Sequence, residues 1–247
     1  MDKSFTRNGY RSLLNTALSS GYKFFAFDQM HSVTEECVCV LRHDIDADLK
    51  AAAEMSAIEA ELGIRATYFL MLRSPVYNLF GRANHRFVQE IIKYGHYIGL
   101  HYDEGFYPDK TQNINELVKR EAKTIEEMFN IKINVVSFHQ PGEAVLANRV
   151  KLENYINTYD KADITGYYYI SDSNKVWKRD PFEMFLKVEE PKVQMLIHPM
   201  WWITDKDLPT EELWSKALMD NFSRTQQQLL DTERAYGNEK KISLNQK

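Results

Sequence analysis

The chain has 247 residues, with 31 basic against 35 acidic side chains and a net charge of −4. That balance argues against general nucleic-acid binding, which draws on clustered basic charge, and no apolar run is long enough to span a bilayer. The length suits one large domain with a full core.

Two cysteines, Cys37 and Cys39, lie two apart in an apolar run, a poor spacing for a disulfide with each other, and so read as small packed groups in a reducing compartment. The first residues, Met-Asp-Lys-Ser-Phe-Thr-Arg-Asn, lack an apolar signal core, so a cytoplasmic protein is expected. Aromatic residues make up 13% of the chain and include fourteen tyrosines; such rings line carbohydrate sites as well as cores, and composition does not choose between the two.

Residues 10–18 carry apolar side chains at helical spacing and run into Ser19-Ser20-Gly21, so a short helix precedes a first strand at 22–27. A strand at 37–41 then stops at the charged cluster Arg42-His43-Asp44-Ile45-Asp46, and a helix at 48–62 follows, capped by Asp48 and closed by Gly63. Alternation puts Asp44 and Asp46 on one side of an extended backbone and Ile45 on the other. Two carboxylates so close repel each other unless a cation or a shared proton relieves them.

Further strands are expected at 65–71, 96–101, 133–138, 166–170 and 193–197, and further helices at 84–94, with Asn84 as its cap, at 113–129 and at 210–234. The tail from Asn238 is polar and reads as mobile. Alternating strands and helices without a Pro-, Gly- or Ser-rich linker imply a single α/β domain over 1–247, its core at about 37–202 with the terminal helices packed on it. Five strands end on Asp44 and Asp46, His101, His139, Asp172 and His198. Strand ends converge on one face of a parallel barrel, and this set, with three histidines, points to a metal site beyond what helix capping needs.

Four segments, Arg42-His43-Asp44-Ile45-Asp46, Gly95 to His101, Ser137-Phe138-His139-Gln140-Pro141 and Ile197-His198-Pro199-Met200-Trp201-Trp202, carry a wider pattern. With them the chain resembles the polysaccharide deacetylase superfamily, the NodB-homology or carbohydrate esterase 4-like hydrolases, and in particular a divergent branch associated with surface-polysaccharide biosynthesis. The resemblance implies a distorted (β/α) barrel of about seven parallel strands. It also implies Asp44 as general base, Asp46 and His101 as metal ligands, and His198 as the acid that protonates the leaving group.

Two departures from the family pattern stand out. The position of a second ligand histidine, four after His101, is Gly105, and the position of an arginine in the third motif is His139. We read them as linked: His139 restores an Asp, His, His set, and Arg42 or His43 takes over from the missing arginine. Asp172 and Trp177 are a looser match to the family's Asp–Trp pair. Asp103 is expected to orient ligands, Glu104 to be solvated, and Tyr77, Asn78 and Tyr102 to lie near substrate. One of Trp201 and Trp202 is expected to pack in the core and the other, Trp202, to face the sugar, while His43 and His96 read as structural.

The function expected from this is removal of an N-acetyl or N-formyl group from an amino-sugar intermediate, nucleotide-linked forms included. It would use one divalent ion, Zn²⁺ first and Co²⁺, Ni²⁺ or Fe²⁺ as alternatives with the same ligand types. Two other classes stand beside it: a non-catalytic carbohydrate-binding barrel that has lost a ligand at Gly105, and another metal-dependent barrel enzyme such as a lyase or phosphodiester hydrolase. The binder has no need of Asp44 and His198, and the phosphodiester reading lacks a Gly-rich phosphate loop.

Overall fold

The computed structural model describes residues 2–107, 112–233 and 235–236; the polar tail expected to be mobile lies outside them. After helix α1 (Arg7–Ser19), strand β1 (Lys23–Phe25) leads into β2 (Val38–Ile45), α2 (Leu49–Glu61), β3 (Thr67–Leu70), α3 (Arg82–Lys93) and β4 (Tyr97–Asp103). The chain goes on through α4 (Ile114–Phe129), β5 (Val135–His139), the short α5 (Glu143–Leu146), β6 (Ile156–Asn157), β7 (Tyr168–Ser171) and α6 (Pro181–Leu186). It closes with β8 (Lys192–Ile197), the single turn α7 (Pro199–Trp202) and α8 (Thr210–Thr232).

Every strand pairing is parallel, and seven strands run in the order β6-β5-β4-β3-β2-β8-β7. The eighth, β1, pairs with Val38 to Val40 at the start of β2, and β3 takes the same strand from Arg42 onward. The expected 37–41 strand is thus longer, running through Arg42, His43 and Asp44, all buried. Charged residues stay in the ladder because each finds a buried partner.

The sheet is curled, not flat. Adjacent strands lie about 4.8 Å apart, so three steps from β2 to β5 would separate them by about 14 Å in a plane; yet Arg42 of β2 reaches Ser137 of β5 at 2.8 Å. Gln194 of β8 likewise donates across the interior to the Thr158 carbonyl just after β6, at 3.3 Å. The ladder is an incomplete barrel, since β6 and β7 end it without pairing to each other among the described residues.

Inside, the N-terminal end of the barrel is filled by Phe27, Met30, Val40, Phe69 and Val135. Gly99 faces this plug from β4: a Cβ there would fall 2.5 Å from the Phe69 ring, so only glycine leaves the ring its place. The C-terminal end is polar. Outside, the helices bury the larger apolar cluster against the sheet, as the spacing of their apolar residues predicts.

Local signals set several helix ends, but α1 begins at Arg7, capped by Thr6, three residues before its expected start. Asp48 caps α2 through the Lys50 and Ala51 N–H groups, and Asn113 caps α4. Helix α3 starts two residues earlier than expected, capped by Gly81; Asn84 lies within it and donates to the Asn78 carbonyl. Gly95, at φ +84°, lets the chain turn from α3 into β4.

Candidate metal centre and acid–base site

Alternation along β2 sorts its charged run. Arg42 and Asp44 face into the barrel, while His43 faces α2, where its Nε2 lies 2.7 Å from Glu59 Oε1. Of the two candidates for the displaced arginine's place, Arg42 is therefore the one that meets Asp44: Nη2 donates to Asp44 Oδ2 at 2.8 Å. The guanidinium lies between the rings of Phe69 and Tyr159, 5.4 and 5.2 Å from their centres. Ser137 donates to the same oxygen, Asp44 Oδ2, at 3.0 Å. Burial alone would raise the Asp44 pKa, but Arg42, with His101 behind it, holds the carboxyl below its ordinary range. Asp44 Oδ1 is buried and has no protein partner.

Asp46 lies just past the strand, His101 in β4 and His139 at the end of β5. His101 Nε2 is 3.2 Å from Asp46 Oδ1, His139 Nδ1 is 3.3 Å from the same oxygen, and the two ring nitrogens are 3.3 Å apart. Burial opposes ionisation of Asp46, but the neighbouring His101 and His139, and after them His198, outweigh it and hold the carboxyl far below the usual range. These three residues are a group able to hold a metal ion. Four ligands at 2.0–2.1 Å from a tetrahedral ion are about 3.3 Å from one another, so the three atoms already form one face of such a tetrahedron. The linked departures at Gly105 and His139 have this spatial counterpart.

His198 begins α7 directly after β8. Its Nδ1 lies 2.6 Å from Asp172 Oδ1, and its backbone N–H donates to both oxygens of that carboxylate at 3.1 Å. Trp202 Nε1 donates to Asp172 Oδ2 at 2.7 Å. Burial pulls the His198 pKa down, but Asp172, and after it Asp46 and Asp44, push it up to about 9. Its free Nε2 faces Asp46 Oδ2 at 3.9 Å.

Several expectations need correction. Asp172 is paired with Trp202, and Trp177 only packs against the Trp202 ring at 6.3 Å. Trp202 is fully buried and Trp201 nearly so, so neither offers a stacking face. Asp103 accepts from the Gly105 N–H through Oδ1 at 2.8 Å, capping the turn after β4. Glu104 accepts from the Gly142 N–H, tying that turn to the one after β5. Tyr77 is buried, donating to the Ile45 carbonyl and accepting from the Met71 N–H, and Tyr102 packs against Tyr107 and Phe138; Asn78 stays exposed, its side chain accepting from the Phe80 N–H.

Sequence reasoning missed two members of the cluster. Ser137 stands two residues before His139, so alternation alone would place both on the inner face. Tyr159, whose hydroxyl lies 3.3 Å from Arg42 Nη2, has no local signal; only the curl of the sheet brings it there.

No family model matches the chain, and neither does any curated protein. Among solved structures it is similar to a carbohydrate esterase family 4 pseudoenzyme from Bacillus anthracis, at 15% identity and TM-score 0.44 over 79% of this chain and 62% of that one. It is also similar to a family 4 acetyl xylan esterase from Clostridium thermocellum in complex with a cobalt ion, at 12% identity and TM-score 0.44 over 76% and 84% of the two chains. A chitin deacetylase from the fungal pathogen Colletotrichum lindemuthianum is similar at 15% identity and TM-score 0.40, over 75% and 81%. The chain spans less than two thirds of the pseudoenzyme's length.

Proposed function

We propose that the protein is a metal-dependent hydrolase that removes an acetyl or formyl group from the nitrogen of an amino sugar. The observation that carries this reading is the triangle of Asp46 Oδ1, His101 Nε2 and His139 Nδ1, with sides of 3.2, 3.3 and 3.3 Å, between an ionised Asp44 and a cationic His198. A divalent ion bound there, Zn²⁺ by the donor set, supplies Lewis acidity toward a carbonyl oxygen and makes water more acidic.

The protein's own groups do the rest. Arg42 and Ser137 hold Asp44 Oδ2, which leaves Oδ1 to accept the proton of an attacking water. His198 has Nδ1 bound to Asp172 and so presents Nε2–H to the departing nitrogen. Proton transfer by a positioned group contributes typically ~10²- to 10⁴-fold, and an amine, a poor leaving group, needs it most. An acid matched to that task must still be protonated near neutrality, and a pKa of about 9 meets the condition.

The finer part of the proposal rests on the resemblance of the four motifs. By it, the substrate is an intermediate of surface-polysaccharide biosynthesis, free or nucleotide-linked. Free Cys37 and Cys39 fit the cytoplasm, where such precursors are made. The test is the purified protein loaded with Zn²⁺ or Co²⁺ and assayed for acetate and formate release from N-acylated amino sugars and their nucleotide-linked forms. One ion per chain with metal-dependent release supports the reading. A protein that binds these sugars but releases neither acid would be the non-catalytic barrel instead.

A further inference from the structure

We infer that the Ser137 hydroxyl is a positioning group that sets the tautomer of His101, placing its proton on Nδ1 and leaving the Nε2 lone pair for a metal ion. The inference rests on the ligand role proposed above for His101 and names the residue that makes that role available.

Ser137 is fully buried, and its inward position opposite His101 follows from the β4–β5 register. Three polar atoms surround its Oγ: Arg42 Nη2 at 2.8 Å, Asp44 Oδ2 at 3.0 Å and His101 Nδ1 at 3.2 Å. A serine hydroxyl has one proton to donate and two lone pairs to accept with. Arginine only donates, so one lone pair receives Arg42. An ionised carboxylate only accepts, so the single proton goes to Asp44. The remaining lone pair faces His101 Nδ1, and that nitrogen must bring a proton of its own.

With the proton on Nδ1, neutral His101 turns a bare Nε2 lone pair toward Asp46 Oδ1, 3.2 Å away. Two lone pairs at that distance repel unless a cation, or a proton of His139 Nδ1 at 3.3 Å from both, comes between them. The opposite tautomer would let Nε2–H bind Asp46 directly and close the site, but Ser137 would then need a second proton to satisfy both Asp44 and Nδ1. Because the hydroxyl joins Arg42, Asp44 and His101 at one atom, the orientation of the base and the readiness of the ligand depend on the same side chain. Partners of this kind, which bind a ligand's other nitrogen, typically change metal affinity ~10- to 100-fold when removed.

The test needs no turnover. In metal-free wild-type protein carrying ¹⁵N-labelled histidine, in mildly alkaline buffer, long-range ¹H–¹⁵N correlations should show one ring in the Nδ1–H form that disappears in His101→Gln. In Ser137→Ala the same ring should shift toward Nε2–H, and Co²⁺ affinity by titration should fall ~10- to 100-fold; Ser137→Thr, which keeps the hydroxyl, should restore both. Wild-type His101 in the Nε2–H form would overturn the inference, whatever the variants do. So would an unchanged tautomer and Co²⁺ affinity in a folded Ser137→Ala. Failure to release acid from any sugar would count against the proposed hydrolase and leave the tautomer result standing.

Discussion

The two faces of β2 carry two buried charge networks built from neighbouring residues, and they end differently. On the helix side His43 meets Glu59, whose Oε1 also accepts from Tyr10 and whose Oε2 accepts from Tyr68 at 2.8 Å. The other His43 nitrogen, Nδ1, faces the Ile197 carbonyl at 3.3 Å, pinning β2 to the end of β8, one residue before His198. His96 accepts from the Ala66 N–H through Nδ1 and donates to the Ser56 carbonyl through Nε2, the pattern of a neutral ring; burial, its largest influence, lowers its pKa. Both oxygens of the Glu59 carboxylate have partners.

On the barrel side, Asp44 has one oxygen held by Arg42 and Ser137 and the other unpartnered, and the neighbouring Asp46, His101 and His139 turn donor atoms toward one point. A buried carboxylate with both oxygens hydrogen-bonded, as in Glu59, holds a scaffold and offers no oxygen to a reactant. A network with unused lone pairs aimed at a common place is costly to bury and makes sense where a ligand or reactant completes it. Burial is similar in the two networks; the carboxylate separates them, with both oxygens of Glu59 hydrogen-bonded and one oxygen of Asp44 unpartnered.

The comparison breaks most sharply at the ion site. His139→Ala should abolish stoichiometric metal binding and with it turnover, whereas Asp44→Asn should keep the ion and lose turnover by ~10²- to 10⁴-fold; metal content per chain and acid release separate the two. Full metal occupancy in His139→Ala would remove that residue from the ligand set.

On the opposite face, Glu59→Gln should destabilise the fold by about 3–5 kcal/mol, the usual cost of breaking a buried pair, with turnover per folded molecule unchanged. Urea unfolding followed by assay of the folded fraction reads both. Burial works against ionisation of Glu59, but His43, with the Tyr10 hydroxyl as a further donor, overcomes it and holds its pKa below the ordinary value. Its contribution to stability is therefore fully present above the unfolded pKa of about 4.3 and is lost as pH falls through the folded one. The Gln variant should accordingly show a flatter loss of stability in acid than wild type.

Asp172→Asn sharpens the comparison further, since this carboxylate serves the reactive face through a single histidine. A reaction that needs protonated His198 should decline as pH rises through about 9, and the variant should decline at lower pH because Asp172 is the main group that raises that pKa. A pH–rate profile with an unmoved alkaline limb would remove His198 as the acid. The smallest effect is expected for Trp202→Phe, which keeps the ring packing but deletes the donor to Asp172 Oδ2, at about 1–3 kcal/mol of stability for the carboxylate oxygen left without that bond. Thermal unfolding measures it.

Much of the architecture could be read locally. Apolar spacing located the five longer helices and seven of the eight described strands, but not the short α5, α6, α7 and β6; Asp48 and Asn113 marked true helix starts, and alternation put Asp44 and Asp46 on one side of the backbone. Helix α3 was misread at its start because Asn84 has a capping side chain, while Gly81, which has none, supplies the backbone turn. The Asp172 partner was misread for a different reason: Trp177 is near in sequence, but Asp172 ends one strand and Trp202 follows its neighbour, so parallel pairing of β7 with β8 brings them together.

By itself the sequence determined the periodicities, the order of elements and which side chains stand at strand ends, since these depend on residues a few positions apart. Only the tertiary structure decided which of those ends meet. Strand register and the curl of the sheet act between residues 38 to 117 positions apart, and they alone bring Ser137 and Tyr159 to Arg42 and close the 3.2–3.3 Å triangle of Asp46, His101 and His139.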